Sequence, residues 1–369
     1  MKILQLFGGL IRRGGEEMFV LNCLRNLNMP DSQIDCLVIE DCDNDEFRDF
    51  VNSRGGSVFE LNIPLHATCF INHVYRPVID FFKTHSYDII HIHSSSIPAL
   101  AVLAAAAKRS GTKKVIVHSH ATGESDSIQH KLFRYLASLS MRGNVDIYCA
   151  CSKAAAEWKF APKYAERAVI IKNGIDTNRF TYNQNSGKAV RDKLNIPHDA
   201  FVICNVGRLC AVKNQEFILK VFELIASSDA YLLLIGDGED KDKLVKSVSE
   251  KGLSEKVVFT GNVTDVEKYL CAADVFVMPS KNEGLGIAAV EAQCTGLSVV
   301  ASVGVPEEIK LTEDVRFLSI EDNKPVYNEW AETIESFRSR PRTDNSEIIR
   351  KNGYDIRSTA EQLIRLYTS

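Results

Sequence analysis

Short runs of apolar residues alternate with segments of helical periodicity along almost the whole chain. The runs are rich in Val, Ile and Leu, which is typical of strands buried on both faces of a parallel sheet. The alternation therefore predicts an α/β fold with helices on both faces of parallel sheets. The predicted strands cover residues 2–7, 35–40, 57–61, 88–93, 114–120, 146–151, 168–173, 201–207, 231–237, 257–261, 274–280 and 297–302, and the predicted helices include 15–27, 74–84, 97–109, 214–227 and 286–295.

A polar stretch divides these elements into two series. Residues 181–200, TYNQNSGKAVRDKLNIPHDA, follow the first series and are predicted to form a loop. We therefore predict two doubly wound, Rossmann-like domains, 1–173 and 174–352, and an amphipathic helix within 353–369 that packs back on the first domain. Ligands of such sheets bind beyond the carboxyl ends of the strands, and two such edges can face each other across a cleft.

Composition narrows the class of protein. The 369 residues are 45% hydrophobic and 25% charged, which suits two soluble domains with little disorder. The ten cysteines include no CxxC pair, so we expect buried free thiols in a reducing cytoplasm rather than disulfides or a zinc centre. The chain starts directly with a strand and shows no signal-peptide pattern, so none is expected.

Basic side chains are concentrated in one part of the first domain. Residues 108–172 hold 12 basic and 5 acidic side chains. Within them, residues 127–144, SIQHKLFRYLASLSMRGN, have amphipathic character and could dock on the anionic inner face of a membrane. A core helix with a basic outer face is an equal alternative at this stage.

Two acids flank a glycine-containing turn in SKNEGLGIAAVEAQ, residues 280–293. Gly284 and Gly286 let the backbone approach a ligand closely, and the helix predicted after them has an N-terminus that attracts anions. Glu283 and Glu291 lie on either side of this turn, where carboxylates could accept hydrogen bonds from sugar and ribose hydroxyls. The spacing alone is equally compatible with a solvated loop acid and a surface helix acid.

A second candidate lies in NVGRLCAVKN, residues 205–214. Gly207 ends a predicted strand, and Arg208 and Lys213 follow it. Arg can bind phosphate through two parallel hydrogen bonds and Lys acts as a point charge, so the pair suits a diphosphate better than a chance pair of exposed cations. The chain contains no GxGxxG or Walker A motif, so hydride transfer and P-loop phosphoryl transfer lack support.

The first domain contributes a glycine-rich turn and several histidines. FGGLIRRGGEE at 7–17 predicts a mobile loop that includes Gly14 and Gly15. Alternation along the strand before HSHATGES sends His118 and His120 to the same side. A metal site that these two form with His91 and His93 is a weaker interpretation than ordinary hydrogen-bonded histidines, because no motif such as HExxH completes it.

Together these motifs resemble the retaining glycosyltransferases of family 4, which have the two-domain GT-B fold. The matching segments run in family order from residue 7 to residue 302, and the strongest is the pair of glutamates at 283 and 291. Bacterial enzymes of capsular polysaccharide, exopolysaccharide or lipopolysaccharide assembly show the greatest similarity. The glycine spacing of the first loop and the absence of proline in GLSVV depart from the family pattern.

The resemblance implies a role for each matching residue. Glu291 is expected to bind the ribose hydroxyls, and Glu283 the donor sugar. Arg208 and Lys213 would hold the diphosphate, and His120, with His118 as the runner-up, would face the donor sugar. The remaining implied donor-binding positions are Gly14 and Gly15 in the first loop, Gly207, the loop residues Asn262 and Val263 near the nucleobase, and the helix N-terminus at Gly284, Leu285 and Gly286.

The resemblance also implies the reaction. We expect transfer of a sugar, with UDP-sugar as the favoured donor, to a glycan or lipid-linked acceptor, with retention at the anomeric carbon and without a metal or other cofactor. A front-face path, in which the leaving phosphate helps to deprotonate the acceptor, fits better than a covalent intermediate because no side chain is an obvious nucleophile. The alternatives are a nucleotide-sugar epimerase on the same fold and a non-catalytic nucleotide-sugar-binding subunit; nucleic acid is not an expected partner.

Overall fold

Two parallel β-sheets, one of seven strands and one of six, organise the chain in the computed structural model. The structure describes residues 1–12, 15–64, 70–120, 127–225 and 229–369. Unit 1 comprises Met1–Gly174 and Ile356–Ser369, and unit 2 comprises Ile175–Asp355. Each sheet belongs to one unit, so the parallel α/β architecture predicted from the sequence is confirmed in both.

The sheet of unit 1 has the order β3-β2-β1-β4-β5-β6-β7. All its neighbours pair in parallel, and the inner strands are almost wholly buried because helices cover both faces. Its strands are β1 (Lys2–Phe7), β2 (Gln33–Val38), β3 (Val58–Glu60), β4 (Ile89–His93), β5 (Lys114–Ser119), β6 (Ile147–Ala150) and β7 (Val169–Ile170).

The helices of unit 1 connect these strands and include the C-terminal helix. Several begin with a side-chain cap; for example, the Ser96 hydroxyl accepts a hydrogen bond from the Ala99 N–H at the start of one of them. The helices are α1 (Gly15–Asn26), α2 (Asp45–Ser53), α3 (Phe70–Thr84), α4 (Ile97–Arg109), α5 (Ile128–Met141), α6 (Lys153–Lys159), α7 (Pro162–Ala165) and, at the end of the chain, α15 (Ile356–Thr368).

Helix α15 completes the core of unit 1. Its buried face, which includes Ile356, Leu363 and Tyr367, packs in one hydrophobic cluster with residues of α1 and of strands β1 and β2. At the point where the chain leaves the first sheet, a Cβ atom on Gly174 would lie 2.7 Å from the Ile356 Cα. The glycine therefore allows the returning helix to approach the backbone closely.

The sheet of unit 2 has the order β10-β9-β8-β11-β12-β13, again with parallel neighbours. Its strands are β8 (Phe201–Val206), β9 (Ala230–Ile235), β10 (Val257–Gly261), β11 (Val275–Met278), β12 (Ser298–Ser302) and β13 (Val315–Leu318). Its helices are α8 (Gln184–Lys193), α9 (Gln215–Ile225), α10 (Lys241–Glu250), α11 (Val266–Ala272), α12 (Ile287–Cys294), α13 (Lys324–Ser336) and α14 (Ser346–Lys351), and a 3₁₀ turn covers Glu307–Ile309.

The predicted loop at 181–200 is wrong over much of its length. It contains α8, whose N-cap is Asn183, and whose Gly187 packs so closely on the Cys271 carbonyl that a Cβ atom would clash with it. A helix with so few apolar side chains shows weak periodicity, so the sequence pattern missed it. Edge strand β13 was also missed, because Val315 alone of its four residues is fully buried.

The predicted free thiols are confirmed for the nine cysteines that the structure describes. Eight are buried, Cys210 is half-buried, and none of the nine is in a disulfide. Burial raises the pKa of the Cys23 and Cys204 thiols, so they stay protonated and act as small apolar side chains. The tenth, Cys69, lies outside the described residues.

Replacing Leu363 by Ala tests the contribution of α15 to unit 1. Leu363 is 2% exposed, so the variant should lower the free energy of unfolding of unit 1 by about 2–5 kcal/mol. The measurement is the urea dependence of amide hydrogen exchange in peptides of β1 and β4. The exposed Arg365→Ala on the same helix is the control and should change this free energy by less than about 0.5 kcal/mol. Equal protection in both variants would contradict the packing of α15 on this core.

Candidate active site

The strand order of unit 2 reverses direction between β8 and β11. The chain proceeds from β8 to β9 and β10 on one side, then crosses to β11, β12 and β13 on the other. The connections that follow β8 and β11 therefore leave the sheet in opposite directions and open a crevice at the carboxyl edge, where ligands of doubly wound sheets bind. Both motifs singled out in the second half of the sequence follow these two strands.

An ion pair joins the two connections across this crevice. The Lys213 Nζ lies 2.5 Å from the Glu283 Oε1, and the Glu283 side chain is 10% exposed. The Ser280 hydroxyl donates to the same carboxylate oxygen at 2.7 Å. Two predicted site residues, 70 positions apart in the chain, are therefore in direct contact, and the carboxylate is held by a cation and a hydroxyl.

Backbone contacts hold this ion pair in place. The Lys281 N–H donates to the Val212 carbonyl at 2.8 Å, and the Glu283 N–H donates to the Gly304 carbonyl at 3.1 Å. Asn214 adopts a left-handed conformation, with φ of 57°, and its side-chain amide donates to the Pro279 carbonyl at 3.2 Å. Asn tolerates this conformation better than most residues, so it suits the tight turn before α9.

Glycines shape both connections. Gly286 caps α12 with φ of 86°, and a Cβ atom there would lie 3.1 Å from a Val305 methyl and 3.2 Å from the Met278 sulfur. Larger residues are therefore excluded by conformation as well as by space. Leu285 beside it is buried, which anchors the turn at Gly284–Gly286. Gly207 lies next to the side chain of Lys213, since a Cβ atom there would lie 3.8 Å from the lysine Cδ.

Glu291 lies in α12, half-buried, close to a second charged pair. The Arg179 guanidinium is 2.7 Å from the Glu267 carboxylate and also donates to the Thr264 carbonyl. Burial raises the pKa of Glu291 to about 7, and Glu267 adds to this rise while the charge of Arg179 opposes it. Near neutral pH this carboxyl group is therefore present in both ionisation states.

Arg208 forms an ion pair with an acid of a neighbouring connection, and its predicted contact with the diphosphate stays a prediction. Its Nε lies 2.9 Å from Glu239, in the connection after β9, and both side chains are more than half exposed. The sequence reasoning missed Glu239; its signal was the GDGED segment directly after a strand. The Arg208 carbonyl accepts a hydrogen bond from the Gln215 side chain at 3.0 Å, which fixes the backbone of this connection while the guanidinium stays at the surface.

Asn262 and Val263 follow edge strand β10. Gly261, with φ of 67°, ends this strand and pairs with Gly236 at the end of β9. Asn262 is exposed and Val263 is half-buried. They lie at the same carboxyl edge as the ion pair, two strands away from β8. Their predicted contact with the nucleobase stays a prediction.

In unit 1, four histidines converge at the carboxyl ends of β4 and β5. The rings of His118 and His120 stack with centroids 4.1 Å apart, which confirms that they share one side. His93 Nδ1 lies 2.9 Å from His120 Nε2, and His91 Nε2 lies 3.2 Å from His118 Nδ1. Burial lowers the pKa of all four rings, to about 3 for His91 and His120, so they are neutral.

A metal could in principle use three of these rings. Ligand nitrogens of His91, His93 and His118 all lie within 4.8 Å of one another. Each of the three rings, however, already uses at least one nitrogen in a hydrogen bond to another ring or to Gln5 or Tyr367. This agrees with the sequence-based preference for hydrogen-bonded histidines.

The glycine-rich loop of unit 1 is described in part. Gly14 lies outside the described residues, and Gly15 is the first residue of α1. Nearby lie two ionisable residues that sequence reasoning missed, the acid Glu16 and the base Lys159. Burial lowers the pKa of Lys159 to about 7, while burial and the neighbouring Glu17 raise the pKa of Glu16 to about 8. The Lys159 ammonium group donates to the Ser95 carbonyl.

Comparison with known proteins decides the family. Residues 187–355 match the family described as "Glycosyl transferases group 1", and residues 13–179 match "Glycosyltransferase Family 4". The chain belongs to the family 4 glycosyltransferases. Among the relatives of this glycosyltransferase is EpsF of Bacillus subtilis, 27% identical over 99% of this chain and 96% of its own length.

Two further similarities concern this glycosyltransferase. The UDP-Gal:alpha-D-GlcNAc-diphosphoundecaprenol alpha-1,3-galactosyltransferase of Escherichia coli is 29% identical over 60% of this chain and 59% of its own length. The crystal structure of HepE from Anabaena in complex with UDP-glucose superposes with a TM-score of 0.78, at 20% identity, over 100% of this chain and 99% of that one. This likeness shows the fold, and the GT-B prediction is confirmed. No helix among the described residues is long and apolar enough to cross a bilayer.

The raised pKa of Glu291 predicts a pH-dependent effect of Glu291→Gln on stability. The pKa is about 7 in the folded protein against an ordinary 4.5, so ionisation destabilises the fold increasingly from pH 4.5 to 7 and fully above 7. Glu291→Gln should therefore raise the free energy of unfolding by about 1–2 kcal/mol at pH 8, with much less gain at pH 4.5. Urea titrations at both pH values measure it. The exposed Glu329→Gln should show no such difference; an equal gain at both pH values would refute the assignment.

Proposed function

We propose that this glycosyltransferase moves a sugar from a UDP-sugar to a glycan or lipid-linked acceptor in the biosynthesis of a cell-surface polysaccharide. Transfer proceeds with retention at the anomeric carbon and without a metal ion. The observation that carries this proposal is the Lys213–Glu283 ion pair at the reversal point of the second sheet. It puts a cation suited to phosphate and a carboxylate suited to sugar hydroxyls in contact with each other.

Lys213 is the proposed ligand of the donor diphosphate. An ammonium group has three N–H donors, so it can bind a phosphate oxygen while it keeps its contact with Glu283. The 29% exposure of its side chain leaves the ammonium group accessible and still partly shielded from water. Shielding strengthens its attraction to the negative charge that develops on the leaving diphosphate.

Glu283 is the proposed ligand of the donor sugar. The Ser280 hydroxyl and the Lys213 ammonium group fix the carboxylate, and the Glu283 backbone is tied to Gly304. A carboxylate held from several sides loses little entropy when it accepts a hydrogen bond from a hydroxyl. It is therefore suited to hold one sugar orientation relative to the diphosphate.

Arg208 and Glu291 complete the proposed donor site. An exposed ion pair contributes little to stability, so Arg208 can exchange Glu239 for a phosphate at small cost. Glu291 can accept hydrogen bonds from ribose hydroxyls when it is ionised. The backbone N–H groups at Gly284–Gly286 and the dipole of α12 add positive potential beside the phosphates.

The proposed reaction balances without a protein nucleophile. The bond between the anomeric carbon and the diphosphate oxygen breaks, and the acceptor hydroxyl oxygen forms the new bond on the same face. The acceptor proton passes to an oxygen of the departing diphosphate. Lys213, Arg208 and the α12 N-terminus stabilise the departing charge, which is the role that a metal ion has in metal-dependent transferases.

Two similarities support the choice of UDP and of a surface polysaccharide. The E. coli relative is named for UDP-Gal and an acceptor on diphosphoundecaprenol, and the HepE structure contains UDP-glucose. Several other relatives carry names from lipopolysaccharide core and O-antigen biosynthesis. We place this chain in the same class of reaction.

Lys213→Met and Glu283→Gln test the donor site. A panel of UDP-, GDP- and ADP-sugars should raise the melting temperature of the wild type with UDP-sugars only, since a bound donor stabilises the folded state. Lys213→Met should abolish this shift and lower kcat/KM for transfer about 10²–10³-fold, and Glu283→Gln should lower it to a similar degree.

Anomeric configuration, read by proton NMR of the product, should be retained, and EDTA should leave the rate unchanged.

A matched control uses an ion pair outside the site. Lys246 lies 3.8 Å from Glu250 on α10, and Lys246→Met should leave donor binding and transfer unchanged. Transfer by Lys213→Met within twofold of the wild-type rate would reject the proposed role. A product formed from donor without acceptor, other than by slow hydrolysis, would favour the epimerase alternative.

We also propose that α5 docks on an anionic membrane. Most of its exposed side chains are apolar, which favours docking over the alternative of a core helix with a basic outer face. Lys131 and Arg142 are exposed on the same helix and at its end, which suits anionic headgroups. The exposed apolar side chains are Ile128, Leu132, Phe133, Tyr135, Leu136 and Leu139, each at least 50% exposed.

Leu136→Ser tests this surface. Loss of one inserted apolar side chain should lower the partition of the protein onto phosphatidylglycerol-containing vesicles about tenfold in a flotation assay. High salt should weaken wild-type binding as well, because the basic residues attract anionic lipid. Leu224→Ser, at a leucine that is 47% exposed on α9, is the control and should float like the wild type. Absence of wild-type binding at low salt would reject the surface.

A further inference from the structure

A hydrogen-bonded chain runs through unit 1 from the C-terminal helix to His120. Tyr367 on α15 contacts Gln5 on β1, since the Gln5 Nε2 donates to the tyrosine hydroxyl at 3.1 Å. The Gln5 Oε1 lies 2.8 Å from His93 Nε2, and His93 Nδ1 lies 2.9 Å from His120 Nε2. A second branch leads from the same hydroxyl to His91 Nδ1 at 2.8 Å.

The amide of Gln5 gives this chain a direction. Its oxygen only accepts hydrogen bonds, so His93 Nε2 must carry a proton and donate it. A neutral imidazole has one N–H, which leaves His93 Nδ1 as an acceptor. His120 Nε2 must then carry the proton that forms the contact between the two rings.

The second branch reaches a consistent result. The Tyr367 hydroxyl accepts from Gln5, which leaves its own proton available to His91 Nδ1. With that proton given to His91 Nδ1, His91 Nε2 is protonated and donates to His118 Nδ1 at 3.2 Å. The His118 Nε2–H then has no hydrogen-bond partner among the described residues. The Gln5 amide orientation therefore specifies the tautomers of His93 and His120, and each contact from Gln5 to His120 has one donor and one acceptor.

Burial explains why all four rings are neutral. Gln5, His91, His93 and His118 are almost inaccessible to solvent, and Tyr367 is 3% exposed. Phe7 stacks on His93 with ring centroids 5.3 Å apart, and Phe19 lies 5.1 Å from the ring of His120. In this apolar surrounding a second proton on any ring is costly, so each ring carries one proton.

One nitrogen of His120 takes no part in this hydrogen-bonded chain. His120 directly follows β5, and its Nδ1 is buried without a hydrogen-bond partner among the described residues. With the proton on Nε2, this Nδ1 has a lone pair that can accept a hydrogen bond from a hydroxyl group. If the Gln5 amide were reversed, the His93 and His120 tautomers would reverse too, and His120 Nδ1 would become a donor.

We infer that Gln5, His93 and Tyr367 are positioning residues that hold His120 in the tautomer with its proton on Nε2, so that Nδ1 accepts a hydrogen bond from a hydroxyl of the donor sugar or the acceptor. The inferred use of Nδ1 rests on the proposed function. The tautomer itself does not, and it can be measured without any sugar present.

The test is the tautomeric state of ¹⁵N-labelled histidines, read from long-range proton–nitrogen correlation spectra. Each of the nine histidines is assigned by single substitution. In the wild type, His93 and His120 should both carry the proton on Nε2. Tyr367→Phe and Gln5→Met should each produce a mixture of tautomers at His120, although neither residue contacts it. Tyr367→Phe removes one oxygen atom, so it keeps the test available if Gln5→Met does not fold.

Tyr148→Phe is the matched control. Tyr148 is also a buried tyrosine of unit 1, and its hydroxyl has no hydrogen-bond partner among the described residues. Its removal should leave every histidine signal of the cluster unchanged. In transfer assays, Tyr367→Phe should lower kcat/KM in proportion to the lost fraction of the Nε2-protonated form, twofold for an equal mixture. Tyr148→Phe should keep the wild-type rate.

Three results would overturn the inference. The first is a wild-type His120 that carries its proton on Nδ1. The second is a His120 tautomer that stays unchanged in both Tyr367→Phe and Gln5→Met. The third is displacement of the cluster's ring protons by one equivalent of Zn²⁺, which would make the rings metal ligands. A tautomer shift in Tyr367→Phe without loss of transfer would overturn the link to the reaction alone.

Discussion

The ion pair between Lys213 and Glu283 is the contact on which the candidate active site depends. It connects the two chain segments that leave the second sheet in opposite directions, and its carboxylate is only 10% exposed. Removing either partner would leave the other charge partly buried without compensation, which is costly. Backbone hydrogen bonds from Lys281 and Glu283 tie the same two segments together, so the charged atoms and the backbone of the crevice share one arrangement.

A comparable constraint operates in the first unit, with neutral groups in place of charges. The core there includes a patch of polar side chains on β1, β4 and β5, and each must satisfy its hydrogen bonds internally because water is excluded. The C-terminal helix closes this core and supplies the Tyr367 hydroxyl. The same helix thus contributes to stability through Leu363 and to the orientation of the histidines through Tyr367.

Several features followed from local sequence patterns. Buried parallel strands are continuous apolar runs, so twelve of the thirteen strands in the described part of the chain were located. The bounds of β1 and β10 match the prediction, and the others differ at one or both ends. Elements that bury little apolar surface were missed, as α8 and β13 show. The identity of the site residues after β8 and β11 was also readable, because glycines and charges at strand ends are local features. The pairing of these charges could not be read from the sequence. Arg208 pairs with Glu239, and Lys213 pairs with Glu283.

The sequence by itself therefore determined the α/β class, the two series of strands, the family resemblance and the residue types available for phosphate and hydroxyl binding. The tertiary structure decided the partners, because these depend on strand order and on contacts between distant positions. Lys213 and Glu283 are 70 residues apart, and His91 and Tyr367 are 276 residues apart. No periodicity within a window of the chain records such pairs, since they arise only when parallel strands align their carboxyl ends at one edge of a sheet.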